Sequence, residues 1–162
     1  MFDAFSNLPN QLSLVKLLSK YVISIDILHK GTYLMATTIT DSGTADVKLP
    51  IEDIVYFTEY GTATFPGKFI LEHIVNWASD QYDTTIDEIL TGIFERNWNE
   101  RDIEIAFHTF ENKINSYITG YLLRYKKDVT FLASTFGQED NASYLMDISL
   151  LQKYIRCKIF KK

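Results

Sequence analysis

The sequence predicts an α+β domain: a small antiparallel sheet packed by helices, with one long central helix. Three observations predict it. From Tyr21 the chain alternates, with Val22, Ser24, Asp26 and Leu28 on one side and Ile23, Ile25 and Ile27 on the other, the period of two that belongs to a strand. Further on, Ile103, Phe107, Phe110, Ile114, Tyr117 and Tyr121 recur at steps of four, three, four, three and four, which is one apolar seam along five helical turns. A length of 162 residues fits a single domain over 1–162, large enough to bury a core without staples.

In chain order, Leu8, Leu12, Val15 and Leu18 are spaced by four, three and three, with Pro9 in the first turn, so residues 8–20 read as an amphipathic helix. The strand over 21–28 is followed by the turn His29-Lys30-Gly31. The β-branched and aromatic stretch Thr32 to Thr40 is then expected as its hairpin partner. Asp41-Ser42-Gly43 is a second turn signal, and Ala45 to Leu49 a third short strand that Pro50 ends.

Ile51 to Phe57 and Phe69 to Trp77 are apolar at helical spacing, and the stretch from Glu59 to Leu71 joins them. Thr85, with Glu88 three residues on, has the form of a capping box, which predicts a separate helix running to about Glu95. Asn99, followed by Glu100 and Asp102, caps the long helix that carries the seam. That seam serves either an intrachain core or a neighbouring subunit. Lys126-Lys127-Asp128 closes the helix, Val129 to Phe136 reads as a strand, and Gly137 to Asn141 reads as an exposed acidic loop. The tail Tyr154 to Phe160 alternates and is expected to join the N-terminal hairpin in one sheet.

Composition narrows the function classes. A formal net charge of −5 argues against sequence-independent nucleic-acid binding, which needs cations to displace phosphate counterions. Cys157 is the single cysteine, so neither a disulfide framework nor a multi-cysteine zinc site is available, and assembly in a reducing compartment is expected. No apolar run reaches the roughly 20 residues of a membrane span, and Met1-Phe2-Asp3-Ala4-Phe5 lacks a basic signal-peptide start. Ten Tyr and eleven Phe suit either core filling or extended contact surfaces.

The joint itself is the most shaped stretch of the chain. Gly61 can take a positive φ and end the first helix, Thr62 and Thr64 can bond loop backbone, and Pro66 stiffens the approach to the second helix. Glu59-Tyr60-Gly61-Thr62, followed by Pro66-Gly67-Lys68-Phe69-Ile70-Leu71, resembles the signature of tailed-bacteriophage tail-completion proteins, the minor tail protein Z and virion-morphogenesis group. In that signature Gly67, Lys68 and Phe69 stand where the family has Ala, Arg and Pro. A second mark of the family, near its C-terminus, is similar to Leu145-Met146-Asp147-Ile148-Ser149-Leu150-Leu151-Gln152-Lys153-Tyr154-Ile155.

The resemblance implies a structural virion protein, not an enzyme and without cofactor, assembled in the host cytoplasm into a ring at the top of the tail, hexameric by analogy. Its implied partners are tail-terminator or tail-tube proteins and the head–tail connector or portal complex. DNA would be passing cargo only, and no membrane is involved. The implied assembly residues are Glu59, Tyr60, Gly61, Thr62, Pro66, Lys68, Phe69 and Leu71, with Leu145, Asp147, Leu151 and Ile155 second. In relatives the region matching Gly137 to Asn141 is a basic loop, whereas here it is acidic.

Two other readings compete. The nearer is a tail terminator, which occupies the adjacent ring. The more distant is a small metal-dependent cytoplasmic enzyme using Glu104 and His108, at i and i+4 on the long helix, with Glu111 a turn further; a solvated helix face opposite the seam explains the same residues. Glu72-His73 and His29 are metal candidates of the same standing, and Cys157 reads as a small buried hydrophobe. Gly61 to Lys68 is not a phosphate loop, because Phe69 follows Lys68 where a Walker motif needs Ser or Thr. Lys68 is expected beside Glu59, locking the joint, and Asp147 is expected to cap the turn into Leu150 to Ile155.

Overall fold

The computed structural model describes residues 7–40, 43–61, 66–125, 130–132, 143–145 and 147–162, and these form an α+β architecture. Four helices, α1 (Leu8–Leu18), α2 (Ile51–Tyr60), α3 (Ile70–Glu95) and α4 (Glu100–Leu123), combine with six strands. The strands are β1 (Tyr21–Ile27), β2 (Tyr33–Thr40), β3 (Gly43–Pro50), β4 (Thr130–Leu132), β5 (Ser143–Leu145) and β6 (Ile155–Lys161). A 3₁₀ helix, Ile148–Lys153, precedes β6. Of the expected strand over Val129 to Phe136, Thr130–Leu132 form β4; Val129 and 133–136 lie outside the described residues, as do Asp41-Ser42, Lys126-Lys127-Asp128, Thr62, Thr64 and the loop Gly137 to Asn141.

The strands form two sheets rather than one. β1 pairs with β6, and the other sheet runs in the order β3-β2-β5-β4. The expected β1–β2 hairpin is thus corrected. The turn after β1 does form, with His29 at φ 58°, Gly31 at φ 82° and the Thr32 amide donating to His29 O at 3.1 Å. Turn chemistry reverses the chain, however, without choosing which strand edge supplies the ladder. β1 takes its partner from the far end of the chain, and its flanks show it: Leu28 N donates to Tyr154 O at 2.6 Å, and Lys162 N donates to Lys20 O at 2.9 Å. β2 instead makes a long antiparallel ladder with β3, from Tyr33↔Pro50 to Thr40↔Gly43, and meets β5 on its other edge.

α3 also departs from the expected layout. Thr85 does not open a helix; its hydroxyl donates to Gln81 O at 3.0 Å inside one that is continuous over 26 residues. Ile74, Ala78, Ile89 and Ile93 are all buried along it. Burial of that common stripe outweighs a local capping preference of about 1 kcal/mol. α4 begins as expected, with Asn99 Oδ1 accepting from the Arg101 and Asp102 amides at 2.8 and 3.3 Å and Asp102 returning the bond to Asn99 N at 2.9 Å.

The chain divides into two compact units. One comprises residues 1–25, 76–116 and 157–162, the other residues 26–75 and 117–156. In the first, Ile103, Phe107, Phe110 and Ile114 of the seam are buried with Ile89, Ile93, Cys157 and Ile159. Tyr21 stacks on Phe107 at 4.2 Å, and α4 grips β6 through side chains. Asn115 accepts from Cys157 N at 2.9 Å and donates to Cys157 O at 3.0 Å, while Glu111 Oε2 accepts from Ile159 N at 2.7 Å. In the second unit Leu34, Ile51, Ile54, Ile70, Ile74, Ile118, Leu122, Ile148, Leu151 and Ile155 make the core. The seam is intrachain core in the first unit; in the second, Tyr121 is buried and Tyr117 half-buried.

Candidate functional site

The joint between α2 and α3 is held by backbone and by one carboxylate. α2 ends at Gly61, whose amide donates to Phe57 O at 2.8 Å and whose φ of 79° and ψ of −168° lie in a region that glycine alone occupies without strain. Gly61 then bridges to Pro66 across the loop. Two further bonds return the chain to α2, from Lys68 N to Thr58 O at 2.8 Å and from Phe69 N to Glu59 O at 3.2 Å. The packing here excludes any side chain at Gly67, because a Cβ would stand 2.3 Å from the Glu59 carbonyl oxygen.

Glu59 is 6% exposed, and its carboxylate accepts from the Leu71 amide at 2.6 Å and the Glu72 amide at 2.9 Å. A carboxylate in the last turn of α2 faces the negative end of that helix, which is unfavourable alone. Here it caps the positive end of α3, satisfying two amides that have no partner within their own helix. The lock expected of Lys68 is thus supplied by backbone amides, and Lys68 Nζ lies over the Tyr125 ring, 5.0 Å from its centroid.

Phe69 holds φ at 49°, a left-handed conformation that costs an aromatic residue about 1–2 kcal/mol, and it is 50% exposed. Tyr60, at 65%, and Tyr56, at 58%, are exposed on α2 with ring centroids 5.1 Å apart. The site thus presents aromatic groups on a fixed backbone.

Sequence reasoning missed the aromatic stack beside the loop. His73 stacks on Tyr121 at 4.5 Å, and its Nε2 is 2.8 Å from Tyr117 Oη; the Tyr121 and Tyr125 hydroxyls are 3.1 Å apart. Burial, reinforced by the hydrogen bond to Tyr125, raises the Tyr121 phenol well above the usual range. The signal was present as Tyr117, Tyr121 and Tyr125 at steps of four, which places the first two on one face of α4 and the third in the turn that follows it. His73, weighed as a metal ligand, belongs to this stack.

The second motif plays another part. Asp147 Oδ1 accepts from Ser149 N at 2.9 Å, the expected cap, here of the 3₁₀ helix. Leu151 and Ile155 are each 1% exposed and serve packing, and Leu145 pairs with Thr37 and Thr130 in the sheet. On α4, Glu104 and His108 are exposed while Glu111 is engaged by β6, and the described residues hold no group of three or more His, Cys, Asp or Glu placed to share a metal ion. Cys157 is buried, and loss of solvation, with Glu111 nearby, pushes its thiol up to about 12. Among the described residues no helix is long and apolar enough to cross a membrane. No family model matches the chain, and comparisons with curated proteins and with solved structures found no match.

Proposed function

We propose that the protein is a structural virion component of a tailed bacteriophage, completing the tail and joining it to the filled head as part of a ring of identical copies. The observation that carries this reading is the joint itself. Its backbone is fixed at both ends by Glu59 and by the close approach at Gly67, and it holds Phe69 exposed in a left-handed conformation. Strain retained at an exposed aromatic group marks a contact surface more readily than a packing solution. The resemblance of Glu59 to Leu71 to the tail-completion signature supplies the kind of contact.

Its proposed partners are the tail-terminator or tail-tube proteins below and the connector complex above, with DNA as passing cargo. In a closed ring, identical weak contacts combine into firm attachment, since closure leaves no contact surface unpaired. Electron microscopy of particles from a mutant lacking the gene tests the proposal. Filled heads beside finished, unattached tails are the expected outcome; overlong tails would reassign the protein to tail termination, and normal virions would overturn both.

A further inference from the structure

We propose that the first unit carries a binding site for a neutral polyhydroxy ligand, a monosaccharide or sugar alcohol, in the cleft between the start of α1 and the loop that joins α3 to α4. The cleft measures about 370 Å³, within the size range of small-molecule sites. Five carboxamides line it, from Asn7, Asn10, Gln11, Asn97 and Asn99, together with the indole of Trp98. Such a density of amides has a chemical consequence. Each offers donors and an acceptor without charge, the complement of a hydroxyl group, which also donates and accepts.

Part of that capacity is spent on holding the wall together. Asn7 Nδ2 donates to Asn97 Oδ1 at 3.3 Å, Asn10 Nδ2 to Asn7 Oδ1 at 3.4 Å, and Gln11 Nε2 to Ile93 O at 3.3 Å, while Asn99 Oδ1 caps α4. The rest is unused: among the described residues nothing pairs with the Asn97 and Asn99 amino groups or with the Asn10 and Gln11 carbonyl oxygens. Two donors and two acceptors therefore line one cleft.

The wall is also set before any ligand arrives. Gly92 O accepts from Arg96 N at 3.1 Å and Trp98 N at 3.0 Å, closing α3 around Asn97, which takes φ 55°. Trp98 lies so close to Gly92 that a Cβ there would come within 2.2 Å of the indole. An indole so fixed contributes an apolar part of the wall for the C–H groups of a sugar, and ordering it in advance removes that cost from binding. Charge selects the class: Glu100, the one lining residue with a formal charge, is ion-paired with Lys161, so the described lining gives an anion no cation of its own.

The test is a titration followed by ¹H–¹⁵N spectra of the side-chain amides, using D-glucose, D-galactose, D-mannose, N-acetyl-D-glucosamine and sorbitol in turn, with glucose 6-phosphate and adenosine as comparisons. At least one neutral probe is expected to shift the Asn10, Asn97 and Asn99 carboxamides and the Trp98 indole N–H with saturation. Asn10→Leu, at an exposed position in the first turn of α1, should weaken that binding at least tenfold, and Asn76→Leu, exposed on α3, should leave it unchanged. Absence of saturation with every neutral probe, unaltered binding by Asn10→Leu, or tighter binding of adenosine or the phosphate would each overturn the assignment.

Discussion

The carboxylate of Glu59, in the last turn of α2, accepts the backbone N–H of Leu71 at 2.6 Å and so ties the end of one helix to the start of the next. The same carboxylate accepts from Glu72 N at 2.9 Å. Two helix termini are satisfied by one side chain, which makes the loop between them a structural unit rather than a tether.

Glu59→Ala removes both bonds and leaves two amides at the part-buried start of α3 without protein partners. It should destabilise the protein by about 1–3 kcal/mol, and Glu59→Gln, which keeps one acceptor, by less. Urea unfolding followed by circular dichroism measures both; equal stabilities would show that water replaces the cap.

Gly61→Val places a β-branched residue at φ 79° and ψ −168°. The variant should keep the wild-type circular dichroism spectrum, because the helices on either side retain their cores, yet head–tail joining by complementation should fall. An unfolded spectrum would show that Gly61 serves folding instead.

Gly67 and Gly120 are predicted to respond to alanine with opposite signs. At Gly67 the new Cβ meets the Glu59 and Tyr60 backbone, which cannot swing aside, so a loss of roughly 1–3 kcal/mol is expected. Gly120 is exposed in α4 with nothing within 4 Å of the added carbon, so alanine should gain about 0.5–1 kcal/mol from helix propensity. Thermal melts of the pair check the contrast.

Asn115 closes both hydrogen-bonding groups of Cys157 from the side of α4. Asn115→Leu leaves a backbone N–H and a carbonyl unpaired beside a buried residue and should cost about 1–3 kcal/mol. Hydrogen exchange at the Cys157 amide should accelerate with it; unchanged exchange would refute the role.

Alkaline pH should weaken the fold through Cys157. Its thiol, ordinarily at 9.0, titrates at about 12 in the folded chain, so between those values the unfolded state releases a proton that the native state keeps. Stability is complete below pH 9 and declines as pH rises toward 12, at no more than about 1.4 kcal/mol per pH unit for this group. The Tyr21 phenol, raised chiefly by burial, adds a loss in the same direction. Urea unfolding at intervals from pH 8 to pH 11 should show Cys157→Ala with a shallower decline than wild type.

What local chemistry dictates was legible in the sequence. The seam from Ile103 to Tyr121, the Asn99 cap, the Asp147 cap, the burial of Cys157 and the glycine that ends α2 each depend on periodicity, on a side chain reaching a nearby amide, or on a backbone angle open to one residue type. The α+β class followed from the two periods, since elements with those patterns bury their apolar faces only against each other.

Tertiary structure alone decided the rest. Thr85 carries a capping signal, but whether a helix restarts there depends on the common burial of Ile74, Ala78, Ile89 and Ile93. β1 is bounded by a good turn, yet its ladder partner, β6, comes from the opposite end of the chain, because a strand edge pairs with whatever edge the packing presents. Glu59 looks misplaced at the end of a helix and is explained only by the amides of a second helix. The sequence by itself determined most of the helices and strands, since those are short-range balances of sterics and hydrogen bonding; β5 and the continuity of α3 were not among what it determined. Which edges and termini meet is set by long-range packing, where many weak contacts together exceed any single local preference.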